Sequence, residues 1–138
     1  MDDMTIIIDK LLLDNVTAQA KASPRLRMNY NFHQSLDEKC HRFLNAVEPG
    51  TEVPIHKHPT KDETFVILRG KVKVTTHNDD GSIIESVVLC AEEGRYGVNI
   101  LKGVWHTLES LESGSCIFEC KEGPFVEHDE EGVLRLQP

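Results

Sequence analysis

From Cys40 to Lys121 the chain is punctuated by turn formers every eight to twelve residues: Pro49-Gly50, Pro59 to Asp62, Gly70, Asn78-Asp79-Asp80-Gly81, Glu93-Gly94, Lys102-Gly103 and Ser113-Gly114. That punctuation leaves room for short strands only. The runs between the turns, at 40–48, 51–58, 63–69, 71–77, 83–90, 96–101, 104–109 and 115–121, are β-rich, and none repeats with a helical period. Many short strands at regular spacing point to an all-β sandwich or barrel.

One helix precedes this body. Leu12, Val16 and Ala20 recur every four residues, Asp9 stands where a cap belongs, and Ser23-Pro24 ends the run, so residues 9–22 are expected to be helical. Ile6 to Ile8 are expected to form a short strand before it. At 138 residues the chain suits a single domain with one core. Fifteen basic against 23 acidic residues give a net charge of −8, a sign that repels phosphate backbones and anionic lipid, so neither nucleic acid nor membrane is an expected partner. Asp9, Lys10 and Asp14 interrupt the first apolar run before it could serve as a signal peptide or a span, and a cytoplasmic location is expected. Cys40, Cys90, Cys116 and Cys120 are too sparse for a disulfide scaffold. Cys116 and Cys120 on one strand would lie about 13 Å apart, beyond disulfide reach, and buried reduced thiols are the expectation.

The chemistry is concentrated between Gly50 and Gly70, where His56, His58 and Glu63 are spaced as Gly-x5-His-x-His-x4-Glu-x6-Gly. Side chains at i and i+2 of a strand leave the same face, so the two imidazoles stand side by side. Pro59 to Asp62 then reverse the chain, and Glu63 is expected to open the partner strand close to His58. His106, after Gly103-Val104-Trp105, offers a further imidazole from a later strand. Three imidazoles and a carboxylate suit one divalent ion, Fe, Mn, Ni, Zn or Cu, and suit the all-oxygen preference of Ca poorly. Such an ion keeps open positions for water or an oxygen ligand, unlike the closed, thiolate-rich sites of structural zinc.

This spacing resembles the first motif of the cupin superfamily, and Gly103 with His106 resembles part of the second; Arg95, Leu101 and Ser110 stand where that motif has Gly, Pro and Asn. More closely, the chain is similar to WbuC-type cupin metalloproteins, a group associated with bacterial surface-polysaccharide gene clusters. The similarity rests on Ser23-Pro24-Arg25-x-Arg27, Asn29-Tyr30-Asn31-Phe32-His33, Arg42-x-Leu44-Asn45-Ala46, Trp105-His106-Thr107 and Phe118-Glu119-x-Lys121-x-Gly123-Pro124. It stops near Phe125, since Val133 to Pro138 replace the Pro-Trp-rich close typical of the group. The resemblance implies a single-domain cupin barrel, a double-stranded β-helix or jelly roll, holding a divalent metal. Residues 1–38 are then an arm with the helix, 39–125 the barrel, and 126–138 an acidic, loosely held tail. A homodimer is expected because many cupins pair through their sheets.

Around that site, Arg25, Arg27, Asn31 and Arg42 are candidates for gripping an anionic substrate, arginine being suited to two-pronged bonds with carboxylate or phosphate. An equal alternative is that the segment Arg25 to His33 clamps the arm to the barrel. Arg42 and Asn45, three apart on one strand, face opposite sides, and Arg42 is taken as the inward one. His33 is the candidate catalytic proton shuttle, histidine being the side chain whose unperturbed imidazole changes charge near neutral pH, whereas His41, His77 and His128 need no special role. Trp105 should turn away from the metal and pack in the core outside the cavity, Tyr96 should be buried, and Glu119 with Lys121 should form a surface pair. The function expected is that of a metalloenzyme, an isomerase, epimerase or oxygenase, acting on a small polar molecule; the family resemblance alone implies that this molecule is a carbohydrate or nucleotide sugar of surface-polysaccharide biosynthesis. The alternatives are a non-catalytic metal-dependent ligand-binding protein and an O2-dependent oxygenase.

Overall fold

The computed structural model of the chain describes residues 4–124 and 132–133. Helix α1 (Lys10–Ala22) begins where Asp9 accepts the Leu12 backbone N–H at 3.0 Å, and it buries Leu13, Val16, Thr17 and Ala20. Among the described residues ten strands follow: β1 (Arg27–Asn31), β2 (Cys40–Val47), β3 (His56–Lys57), β4 (Glu63–Arg69), β5 (Val72–His77), β6 (Ile83–Leu89), β7 (Gly97–Ile100), β8 (Trp105–Ser110), β9 (Ser115–Glu122) and β10 (Gly132–Val133). They form two five-stranded antiparallel sheets, ordered β1-β2-β9-β4-β7 and β10-β3-β8-β5-β6. This is the expected all-β jelly roll, with its two sheets face to face.

The two sheets close on Val47, Phe65, Ile67, Val72, Val74, Leu89, Leu108 and Ile117. A second cluster fills the space under α1, where Leu13, Val16 and Ala20 meet Leu44, Ala46 and Cys116 on the outer face of the first sheet. That sheet is therefore covered on both faces along β2 and β9. Arg69 ties the helix down, donating to Asp14 at 2.7 Å and to the Thr17 hydroxyl at 3.1 Å. Gly70 makes the tight β4–β5 turn with φ 87°, and a Cβ there would stand 2.7 Å from the Ser115 Cα. Among the described residues no helix is long and apolar enough to cross a membrane.

Several local expectations are corrected. The strand expected at 51–58 shrinks to His56–Lys57, because Pro54 and Pro59 lack the N–H groups a ladder needs. Ile6 to Ile8 form no strand and are exposed. Arg27–Asn31, not expected to be extended, is the edge strand β1 paired with β2. Tyr96 is 63% exposed rather than buried. Cys90 and Cys116 are buried as expected, but Cys40 is exposed. Of the acidic tail, Glu127, His128, Asp129, Glu130 and Glu131 lie outside the described residues, while Gly132–Val133 pair with β3.

Candidate metal centre

His56 and His106 face each other across the β3–β8 pair of the second sheet. Glu63 opens β4 in the first sheet, opposite Ile100 and Lys121. The chain between His58 and Glu63 is thus a crossover between sheets and not the hairpin expected from the turn at Pro59. The histidines and the carboxylate still meet, because the two sheets bring them together across the interior.

The four side chains converge tightly. The ring centres of His56, His58 and His106 lie 4.3–5.7 Å apart, and one ring nitrogen from each falls within 4.8 Å of the other two. Glu63 reaches His58 Nε2 with one oxygen and His106 Nε2 with the other, both at 3.3 Å. His56 Nδ1 donates to the Pro54 carbonyl at 2.8 Å and His106 Nδ1 to the Val104 carbonyl at 2.9 Å. A carbonyl can only accept, so each of these Nδ1 atoms carries a proton and the neutral ring presents a bare lone pair at Nε2. His106 Nε2, buried and without a well-formed hydrogen bond, therefore aims that lone pair at a carboxylate oxygen. Two acceptors 3.3 Å apart in a dry interior need a positive charge, either a proton on the ring or a metal ion beside both. The donor set of three imidazoles and a carboxylate fits a divalent transition metal, and backbone carbonyls that fix the ring tautomer are the usual support of such ligands.

Burial acts to raise the Glu63 carboxyl, but the imidazoles of His106 and His58, when they carry a proton toward it, outweigh burial and hold the group below the usual carboxylate range. Glu119 behaves oppositely. Its burial and the charge of Glu63 push it up to about 8, against the opposing pull of the Asn45 amide, which donates to it at 3.1 Å.

A cavity of about 480 Å³ opens from these groups between the sheets. Arg25, Arg27, Asn29, Asn45 and Glu119 are its polar walls, with Phe43, Val53 and Leu108 as apolar ones. A kink at Leu26, with φ 57°, sits between the two arginines; Thr51 Oγ1 donates to the Arg25 carbonyl at 2.5 Å and the Glu48 N–H to the Leu26 carbonyl at 2.9 Å to hold it. Of the candidates from sequence, Arg25 and Arg27 line this cavity, together with His56, His58, Glu63 and His106.

The structure does not bring Asn31, His33 or Arg42 to it. Asn31 lies farther along β1, paired with Phe43, and Asn29 takes the place at the wall. Arg42 is on the face of β2 that α1 covers and pairs with Glu38 at 3.2 Å, which makes Asn45 the inward residue of the two. His33 stacks on His41 with ring centres 4.3 Å apart and accepts the Arg42 backbone N–H at 3.1 Å. Glu119 lines the cavity instead of forming a surface pair. Trp105 turns away from the histidine cluster but is half-buried and not packed in the core: its Nε1 donates to Asp79 at 2.8 Å and the Lys57 ammonium lies 4.5 Å from its ring centre.

No curated protein matches the chain. Among solved structures it is similar to the capsular polysaccharide assembling protein CapF from Staphylococcus aureus, at 22% identity and TM-score 0.65, over 83% of this chain and 31% of that one. KdgF from Halomonas sp. is similar at 13% identity and TM-score 0.57, covering 77% of this chain and 86% of its own. Lactobacillus farciminis oxalate decarboxylase is similar at 15% identity and TM-score 0.57, over 78% of this chain and 31% of that one. The chain spans about a third of the length of CapF. These neighbours are cupin-fold proteins, and at such identities they establish the fold alone. The sequence itself is matched from residue 8 to 89, more than half of its length, by one family model, so the chain belongs to the family described as domain of unknown function DUF6016 and carries it on a cupin fold.

Proposed function

We propose that His56, His58, Glu63 and His106 hold one divalent transition-metal ion and that the protein is a metalloenzyme for a small, hydroxyl-rich anion of the carbohydrate or nucleotide-sugar type. The observation that carries the reading is the buried lone pair of His106 facing the Glu63 carboxylate, a contact that a cation relieves. A bound ion would act as a Lewis acid, polarising an oxygen of the substrate or lowering the pKa of a water. The chain's own residues supply the rest. Arg25 and Arg27 are placed at the cavity wall to grip a carboxylate or phosphate, the amides of Asn29 and Asn45 can pair with hydroxyls, and Glu119 can hold a proton for transfer at neutral pH.

The carbohydrate class draws support from two sides: the similarity in sequence to WbuC-type cupins, and the fold shared with a protein described as assembling capsular polysaccharide. The test begins with elemental analysis of native protein beside a His56→Ala, His58→Ala double variant. Near-stoichiometric metal in the first and none in the second is expected; equal content in both would overturn the site. Metal-loaded protein is then offered sugar acids and nucleotide sugars. Turnover that disappears with chelator supports the enzyme. Binding without turnover, with affinity lost in Arg25→Ala or Arg27→Ala, would replace it by a ligand-binding protein.

A further inference from the structure

On the far side of the first sheet from the cavity, two of the four cysteines meet. Cys40 opens β2 and Cys120 lies near the end of β9, in positions staggered by two residues: Cys40 is opposite Glu122, and Arg42 is opposite Cys120. Both side chains leave the same face, and their sulfurs are 3.7 Å apart. A disulfide needs about 2.05 Å, a further approach of about 1.7 Å that a side-chain rotation at the exposed Cys40 can largely supply. The other two thiols are shut away, Cys90 at 3% and Cys116 at 0% exposure. Burial also pushes the Cys116 thiol up to about 11, far from a reactive thiolate.

We propose that Cys40 and Cys120 form an oxidation site that closes reversibly into an intramolecular disulfide by exchange with a small disulfide such as oxidised glutathione. Cys40 is the attacking thiol, because it is exposed, whereas burial and its contact with Cys40 hold the Cys120 thiol above its ordinary value. The Arg42 side chain, whose Nε donates to the Cys40 carbonyl at 3.3 Å, brings a guanidinium to this face that opposes part of the rise at Cys120. The Cys40 thiol gives its proton to solvent, and its thiolate attacks one glutathione sulfur and displaces a glutathione thiolate. Deprotonated Cys120 then attacks the Cys40 sulfur and displaces the second. Two protein thiols and one glutathione disulfide become one protein disulfide and two glutathione thiols, with two electrons passed to glutathione and the protons taken up by the leaving thiolates. A link between staggered cross-strand positions departs from relaxed disulfide geometry, and strained, exposed disulfides are the readily reduced ones. It would staple β2 to β9, whose inner faces carry the Asn45–Glu119 hydrogen bond of the cavity wall.

The test incubates the full chain, with chelator present to suppress metal-catalysed oxidation, in excess oxidised glutathione. Thiols counted after denaturation should fall from four to two, with a mass loss of about 2 Da and a peptide joining Cys40 to Cys120. Dithiothreitol should restore all four, and Cys40→Ser and Cys120→Ser should each prevent closure. Four intact thiols, stable glutathione adducts without closure, a bond to Cys90 or Cys116, or a disulfide between two chains would each overturn the proposal.

Discussion

Glu63 keeps a charge where water scarcely reaches, and what faces it there decides what the residue is for. In Glu63→Gln the amide can donate to the His106 lone pair, so the metal-free protein should melt no lower than the parent, while metal affinity falls at least about tenfold. Melting in chelator and titration with the metal check both halves; a variant that loses stability and keeps its metal would defeat the lone-pair argument. Gly70→Ala should cost about 2–3 kcal/mol in urea unfolding, since the new methyl meets the Ser115 backbone at a left-handed φ. The candidate metal ligands were legible in the sequence because the His-x-His spacing and the glutamate after the Pro59 turn stand out by themselves, even though the strand proper holds only His56 and Lys57. Asn45 and Glu119 were not. Parity separates Asn45 from Arg42 and Glu119 from Phe118 but leaves open which face is inner. Here α1 claims Leu44, Ala46, Cys116 and Phe118 for the outer side, so the polar members look inward, the reverse of the ordinary pattern.

Helix α1 is held by its cap and by the sheet beneath it, and the two contributions separate. Asp9→Ala should lower unfolding free energy by about 1 kcal/mol, the usual cost of a lost N-cap, while metal content stays unchanged. Urea titration beside elemental analysis checks this, and a loss of metal would tie the helix to the site in a way its packing does not suggest. The helix could be read from spacing and cap, and eight of the strands from turn residues, but β1 could not. Its sequence Arg-Met-Asn-Tyr-Asn puts polar residues toward a polar cavity and Met28 and Tyr30 toward the helix, which looks like a polar loop until both surroundings are known. The crossover after His58 was hidden for a related reason: a four-residue reversal reads the same whether the next strand pairs with the last or joins the facing sheet.

For the molecule as a whole, metal and protons bear on the same fold. A metal ion at 100 times its Kd should raise unfolding free energy by about 2.7 kcal/mol, and chelator should remove that gain. Calorimetry in both conditions checks it. In the metal-free protein Glu119, raised from 4.5 to about 8, holds its proton more tightly folded than unfolded. Its contribution is complete below pH 4.5, shrinks as pH climbs, and is gone above about 8, so Glu119→Gln should flatten the decline in melting temperature across that window. An unchanged pH profile would show that the group does not titrate there. Strand β10 carries a practical lesson for anyone purifying this protein. Val133 pairs with His56, so a polyhistidine handle fused directly after Pro138 would begin within about 22 Å of that pairing. Nickel carried on such a handle could masquerade as native metal, and a handle at the amino terminus, or none, is the cleaner choice for any assay of what the protein holds.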